Sequence, residues 1–277
     1  MHGSAACWPF GEFRARRGLA TPVSMLLILF SLTLVSTVAY SYSLSQIRSR
    51  KEDLKLLAAD EKMLDMDDAV LAVAWSPGSS RTLAFSDYGG RLRVEPGANH
   101  LQLNITAGNS TDTLFDCDTG SLVYELPSTI AGYYGIWLRG DQRAIVNQSS
   151  AYQAQMRIET GEEYKELTAC YRPLVSSSVG DLVGGRRVNN IRICVINLNG
   201  SQPMQSGGEF NVRVLGDGVS TRLHSYDLNS SVTAVGITAD LDGVERTIEV
   251  RLTVGPAGST ARIEVVVGSV DVEAVRI

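Results

Sequence analysis

The chain has 277 residues, 44% of them hydrophobic and 20% charged, with a formal net charge of -5. That balance suits a folded domain carrying one membrane segment, and the acidic remainder beyond the leader argues against nucleic acid as a partner, since phosphate contacts need clustered Lys and Arg. Four cysteines, none in a Cys-x-x-Cys spacing, support neither a zinc ribbon nor a thioredoxin-like motif.

Residues 1–18 form a basic leader in which Arg14, Arg16 and Arg17 oppose only Glu12. No charged residue then occurs between Arg17 and Arg48. Roughly twenty apolar residues cross a bilayer as a helix, so residues 19–42 are expected to be membrane-embedded. A secretory signal cut after Ala39, leaving Tyr40 first, is one reading of this start. An uncleaved single-pass anchor is another. Arg48, Arg50 and Lys51 beyond the span rival the leader's arginines, so charge bias does not orient it.

Arg16-Arg17-Gly18-Leu19-Ala20-Thr21-Pro22-Val23 resembles the leader and mature start of archaeal type IV pilin-like proteins. The resemblance implies a prepilin peptidase as partner, cutting between Gly18 and Leu19. Pro22 sits where a first helical turn tolerates proline, because that N–H has no intrahelical partner. Val23 stands where bacterial pilins usually carry Glu, which disfavours the bacterial type. Ser76-Pro77-Gly78-Ser79-Ser80, Asp87-Tyr88-Gly89-Gly90, Tyr133 through Asp141 and Cys170-Tyr171-Arg172-Pro173 extend the resemblance to an uncharacterised group of such proteins. It implies membrane lipid and sister pilin subunits as partners, and a surface subunit without known chemistry.

Residues 43–75 read as an amphipathic continuation of the anchor. Ile47, Leu54, Leu57, Leu64 and Leu71 recur at helical spacing, and no Gly or Pro intervenes from Val23 to Pro77. About fifty residues would make some 75 Å of helix. Ser76-Pro77-Gly78-Ser79-Ser80 ends it, and from there the period becomes two. Thr82–Ser86, the turn Asp87-Tyr88-Gly89-Gly90 and Arg91–Glu95 are expected to form a hairpin. Further strands are expected near 100–106, 122–126, 133–138, 144–146, 153–158, 163–171, 190–198, 209–215, 221–226, 233–239, 246–254 and 261–267, with a last one from 270 to 277. Residues 175–185 read as a Ser/Gly-rich gap, giving a possible subdivision near 174–188. The fold class expected is α+β: a long N-terminal transmembrane, pilin-type helix, then an all-β, antiparallel, sandwich-like ectodomain over 76–277. No second apolar run reaches membrane length, so a single crossing with an extracellular ectodomain is expected.

Motifs for chemistry are sparse. His2, His100 and His224 are isolated, with no metal spacing around them. Asp116-Cys117-Asp118-Thr119-Gly120 opens like a calcium loop but has Pro127 where a bidentate Glu is required. Asp240-Leu241-Asp242-Gly243 reads as a hairpin turn, and Arg139-Gly140-Asp141 as a Gly-Asp turn rather than an adhesion tripeptide. No nucleophile elbow, His-Glu-x-x-His or phosphate loop is present, so no catalytic residue, cofactor or metal is expected. Asn-x-Ser/Thr sequons at Asn104, Asn109, Asn147, Asn199 and Asn229 all fall beyond the helix, where a surface glycoprotein would carry them. Among the cysteines, Cys170 and Cys194 are the expected pair, with buried free thiols as the alternative.

Overall fold

The computed structural model of the chain describes residues 20–108, 110–127, 135–147, 152–160, 164–198 and 204–275. The chain divides into two compact units after Lys51. One helix, α1 (Ala20–Ala74), begins in the first.

In the first unit the helix is apolar on every side. Val23, Met25 to Phe30, Leu32, Leu34, Val35, Val38, Tyr40 and Tyr42 are all exposed. An amphipathic surface helix would confine such residues to a stripe. Four hydroxyls turn inward: Ser31, Thr33, Thr37 and Ser43 each donate to a backbone carbonyl three or four residues back, at 2.8 Å. Polar groups satisfied inside the segment are what a hydrocarbon environment demands. The helix is long and apolar enough to cross a membrane.

In the second unit α1 changes character. Ala59, Met63, Met66, Ala69, Val70, Val73 and Ala74 are buried at spacings of three and four. The stripe expected from the sequence is therefore displaced. Leu64 and Leu71 only flank the core, while Ile47 in the first unit and Leu54 and Leu57 in the second are exposed. Alanine and flexible methionine allow a closer helix–sheet approach than a row of leucines.

After α1 the unit is β-rich, with two curled, predominantly antiparallel sheets. One has the order β1 (Ser80–Phe85), β11 (Phe210–Leu228), β14 (Ser259–Val275), β9 (Arg186–Asn197), β8 (Leu174–Val183) and β5 (Val146–Asn147). The other runs β13 (Val244–Arg251), β12 (Ala234–Leu241), β2 (Arg91–Ala107), β3 (Ser110–Pro127), β7 (Tyr164–Tyr171), β6 (Ala154–Thr160) and β4 (Ile136–Arg139), with β10 (Met204–Gly207) also beside β2. Among the described strands, only β14–β9 and β5–β8 pair in parallel. Both sheets feed two apolar clusters. The first collects the buried helix stripe with Leu92, Leu122, Leu167, Val212 and Val272. The second, without the helix, joins Leu101, Leu103 and Ile105 to Ile191, Ile193 and Val265.

Three sequence expectations change. The hairpin over 82–95 does not form: β1 pairs β11 in one sheet, and β2 pairs β3 in the other. An Asx turn carries the chain across, the Asp87 carboxylate accepting from the Gly89 N–H at 2.9 Å. Phe85 enters the core between Tyr124 and Phe210, with ring centroids 5.9 and 5.0 Å away. The expected gap at 175–185 is strand β8, paired with β9, with only Gly184 and Gly185 turning. Its serines suit a strand with one solvated side. Finally, expected pieces merge: 209–215 with 221–226 into β11, and 261–267 with the last strand into β14.

Candidate functional site

The β4-to-β5 loop is built around one buried cation. Arg172 follows β7 and is 1% exposed. Its guanidinium donates to the carbonyls of Asp141, Arg143 and Tyr152 at 2.9 to 3.3 Å, and to the Asp141 carboxylate at 2.6 Å. A buried cation is tolerable only when fully hydrogen-bonded, and here the bonds define the loop. Asp141 also takes the Arg143 side chain, and Arg143, then Arg172, hold its carboxyl well below the usual range. Gln155 pins the loop to β6 by donating to the Asp141 and Arg143 carbonyls at 2.8 and 3.1 Å. Gly140 sits at φ +78°, with room for no side chain: a Cβ would lie 2.2 Å from the Ala154 carbonyl. Arg139 and Asp141 are thus both committed internally, one to α1 and one to Arg172.

Arg139 belongs to a second cluster. It donates to the fully buried Asp67 of α1, and to Asp68 at 2.6 Å, while its guanidinium stacks 5.3 Å above the Tyr152 ring. The Tyr171 hydroxyl lies against the same Asp67 carboxyl, and burial raises the pKa of both. One heptad earlier, Asp60 is pushed up to about 6 by burial, with Lys165 of β7 opposing the shift. These groups fasten the helix to the β-domain.

A cleft of about 280 Å³ lies beside the loop. Ala154, Met156, Ile158, Leu167, Ala169 and Tyr171 point into the first core, so Gln155, Arg157, Thr168 and Cys170 point the other way and form the cleft's floor. Trp137 of β4, the loop residues Gln142 and Ala144, Asn99, and the β12–β13 turn complete it. In that turn Asp242 has φ 52° and Gly243 φ 81°, as the Asp-Gly reading expects. The turn is held to β2 by reciprocal bonds: Asp242 N–H to the His100 carbonyl at 3.1 Å, and His100 N–H to the Asp242 carboxylate at 2.7 Å. The Asn99 amide nitrogen is buried without a hydrogen-bond partner. A larger depression of about 820 Å³ lies over β8, β9, β14 and β11, but no Trp, Tyr or Phe lines it.

The sequence-predicted positions scatter. Gly18, Leu19, Asn109 and Asn199 lie outside the described residues. Asn147 and Asn229 are exposed, whereas Asn104 is half-buried in β2 and accepts from the Thr113 hydroxyl at 2.9 Å. Cys117, Cys170 and Cys194 are free thiols, so the expected Cys170–Cys194 pair is not formed. The two sit on strands of different sheets, each pointing away from the core; Cys170 donates instead to the Gln155 side-chain oxygen at 3.5 Å, and burial pushes its pKa to about 11. Asp116 and Asp118 are in strand β3 rather than a loop, and His100 lies between them at 3.2 and 2.9 Å. The Asp118 contact raises the imidazole pKa. Sequence reading treated His100 as solitary; strand register alone could have paired it with Asp118. Among the described residues no group of three His, Cys, Asp or Glu has the geometry to hold a metal ion. Comparison with protein-family models, with curated proteins and with solved structures finds no match for this chain.

Proposed function

We propose that this chain is a non-catalytic, type IV pilin-like surface subunit, anchored by α1 in the cell membrane with its β-domain outside as a sandwich. Its helix then packs against sister helices in a surface filament. The observation carrying this reading is the change of character along α1, from apolar on every side with Ser31, Thr33, Thr37 and Ser43 bonded inward to a stripe committed to the β-domain. A helix of the first kind needs lipid or other apolar helices around it, and moving from one to the other keeps it from water. Ile47, Leu54 and Leu57, exposed at 62%, 66% and 62%, supply heptad-like positions for neighbouring helices. The basic leader before Leu19 suits removal by a prepilin peptidase, and exposed Asn147 and Asn229 suit glycosylation of an outer domain.

Mass spectrometry of the mature N-terminus, on protein from its native membrane, tests this. A start at Leu19 is expected. A start at Tyr40 would overturn the reading in favour of a secreted domain, and an intact N-terminus in cells that process other prepilins would leave a simple anchor. Recovery in sheared filaments rather than stripped membranes separates a polymerising subunit from an anchored one that stays single.

A further inference from the structure

We propose that the cleft between Trp137, Asn99 and the β12–β13 turn binds a single pyranose ring, such as one residue of a glycan. The inference needs only the β-domain and stands apart from the pilin reading. Volume sets the scale, because about 280 Å³ lies at the small end of ligand sites and suits a monosaccharide rather than a nucleotide or a peptide. A sugar ring presents C–H groups on its faces and hydroxyls around its rim, each hydroxyl both donor and acceptor. Its site therefore needs an aromatic plane beside side chains of both hydrogen-bonding senses.

The cleft has these parts. Trp137 offers the plane, Asp242 accepts, Arg157 donates, and Thr168 and Gln142 do either. The walls are already fixed. Gln155 and Arg172 hold the loop, and the Asp242–His100 bonds hold the turn, so a ligand would meet a pre-ordered site. Carboxylate and guanidinium together leave no excess of positive charge for a phosphate.

The test uses the full chain in a detergent without sugar headgroups. Saturation-transfer NMR is run with glucose, galactose, mannose and N-acetylglucosamine, each at up to about 20 mM, with adenine as comparator. Transfer to ring protons of at least one sugar is expected, with a dissociation constant of about 1 mM. Trp137→Ala should weaken it at least about tenfold. Asp242→Asn should do the same while sparing the fold, since Asn tolerates the turn's positive φ and can still accept from His100. No transfer to any of the four sugars, transfer unchanged in both variants, or binding of adenine alone would overturn the proposal.

Discussion

Asp60 and Asp67 carry two carboxylates into the packing of α1 on the β-domain, and they are compensated differently. Each has one oxygen buried without a hydrogen-bond partner, but Asp67 also binds the Arg139 guanidinium, whereas Asp60 has only the opposing charge of Lys165. Asp60 therefore binds its proton more tightly in the folded chain, at about 6, than in the unfolded one. Its contribution to stability is fullest when both states are protonated, below the ordinary carboxylate pKa, and is lost as pH rises through about 6. The shift is worth about 3 kcal/mol at full strength, and partial solvent access reduces this to about 1–2 kcal/mol. Urea midpoints of the full chain and of Asp60→Asn check it: the variant should gain about 1–2 kcal/mol on the parent between about pH 4 and pH 7. A difference that stays flat with pH would show that Asp60 titrates normally. At this scale the sequence was least readable. Arg139-Gly140-Asp141 looks like an exposed turn, yet its arginine reaches the helix and its aspartate a buried arginine, partners 72 and 31 residues away.

The end of α1 rests on two strand glycines. A Cβ on Gly216 of β11 would lie 2.4 Å from the Val73 carbonyl, and one on Gly268 of β14 equally close to that of Ala74. Across the same contact, Gly78 N–H donates to the Gly216 carbonyl at 2.7 Å, and Gly216 N–H to that of Ser79 at 2.9 Å. Both sides are backbone held by hydrogen bonds, so neither can yield to an added methyl. Gly216→Ala should cost about 1–3 kcal/mol by overpacking. Gly218→Ala, two residues on with nothing within 4 Å of its Cβ, should be nearly neutral. Urea midpoints at unchanged m-value compare the two, and equal costs would count against the close-approach argument. Period-two patterning made most strands legible, because each has one buried side. It failed where pairing is non-local. The hairpin expected over 82–95 was locally sound, but Phe85 finds its aromatic partners in β3 and β11, and turn chemistry cannot report which sheet a strand joins. Strand β8 was hidden by its serines, and its pairing with β9 reveals it.

On the proposed reading of the chain as a filament subunit, the helix residues left exposed need a role. Leu54 and Leu57 are 66% and 62% exposed, on a helix whose buried stripe is supplied by Ala, Val and Met instead. Leu54 lies beyond the charge-free run, with Arg48, Arg50 and Lys51 between it and Tyr42, so a change there leaves the apolar segment as it is. Exchanging both for lysine removes no contact within the β-domain and should alter its stability by about 0.5 kcal/mol or less. In a filament the same residues would face sister helices, where lysines meet like charges and lose water without a partner. Leu54→Lys with Leu57→Lys is therefore expected to give a chain that inserts, is processed and melts like the parent, yet falls at least about tenfold in the sheared surface fraction while accumulating in membranes. Filaments formed at parental yield would mean that sister helices meet elsewhere, along the apolar segment from Val23 to Tyr42. Loss of the protein from both fractions would mean that the leucines serve folding rather than assembly, and the unchanged melt expected of purified protein guards against mistaking one for the other.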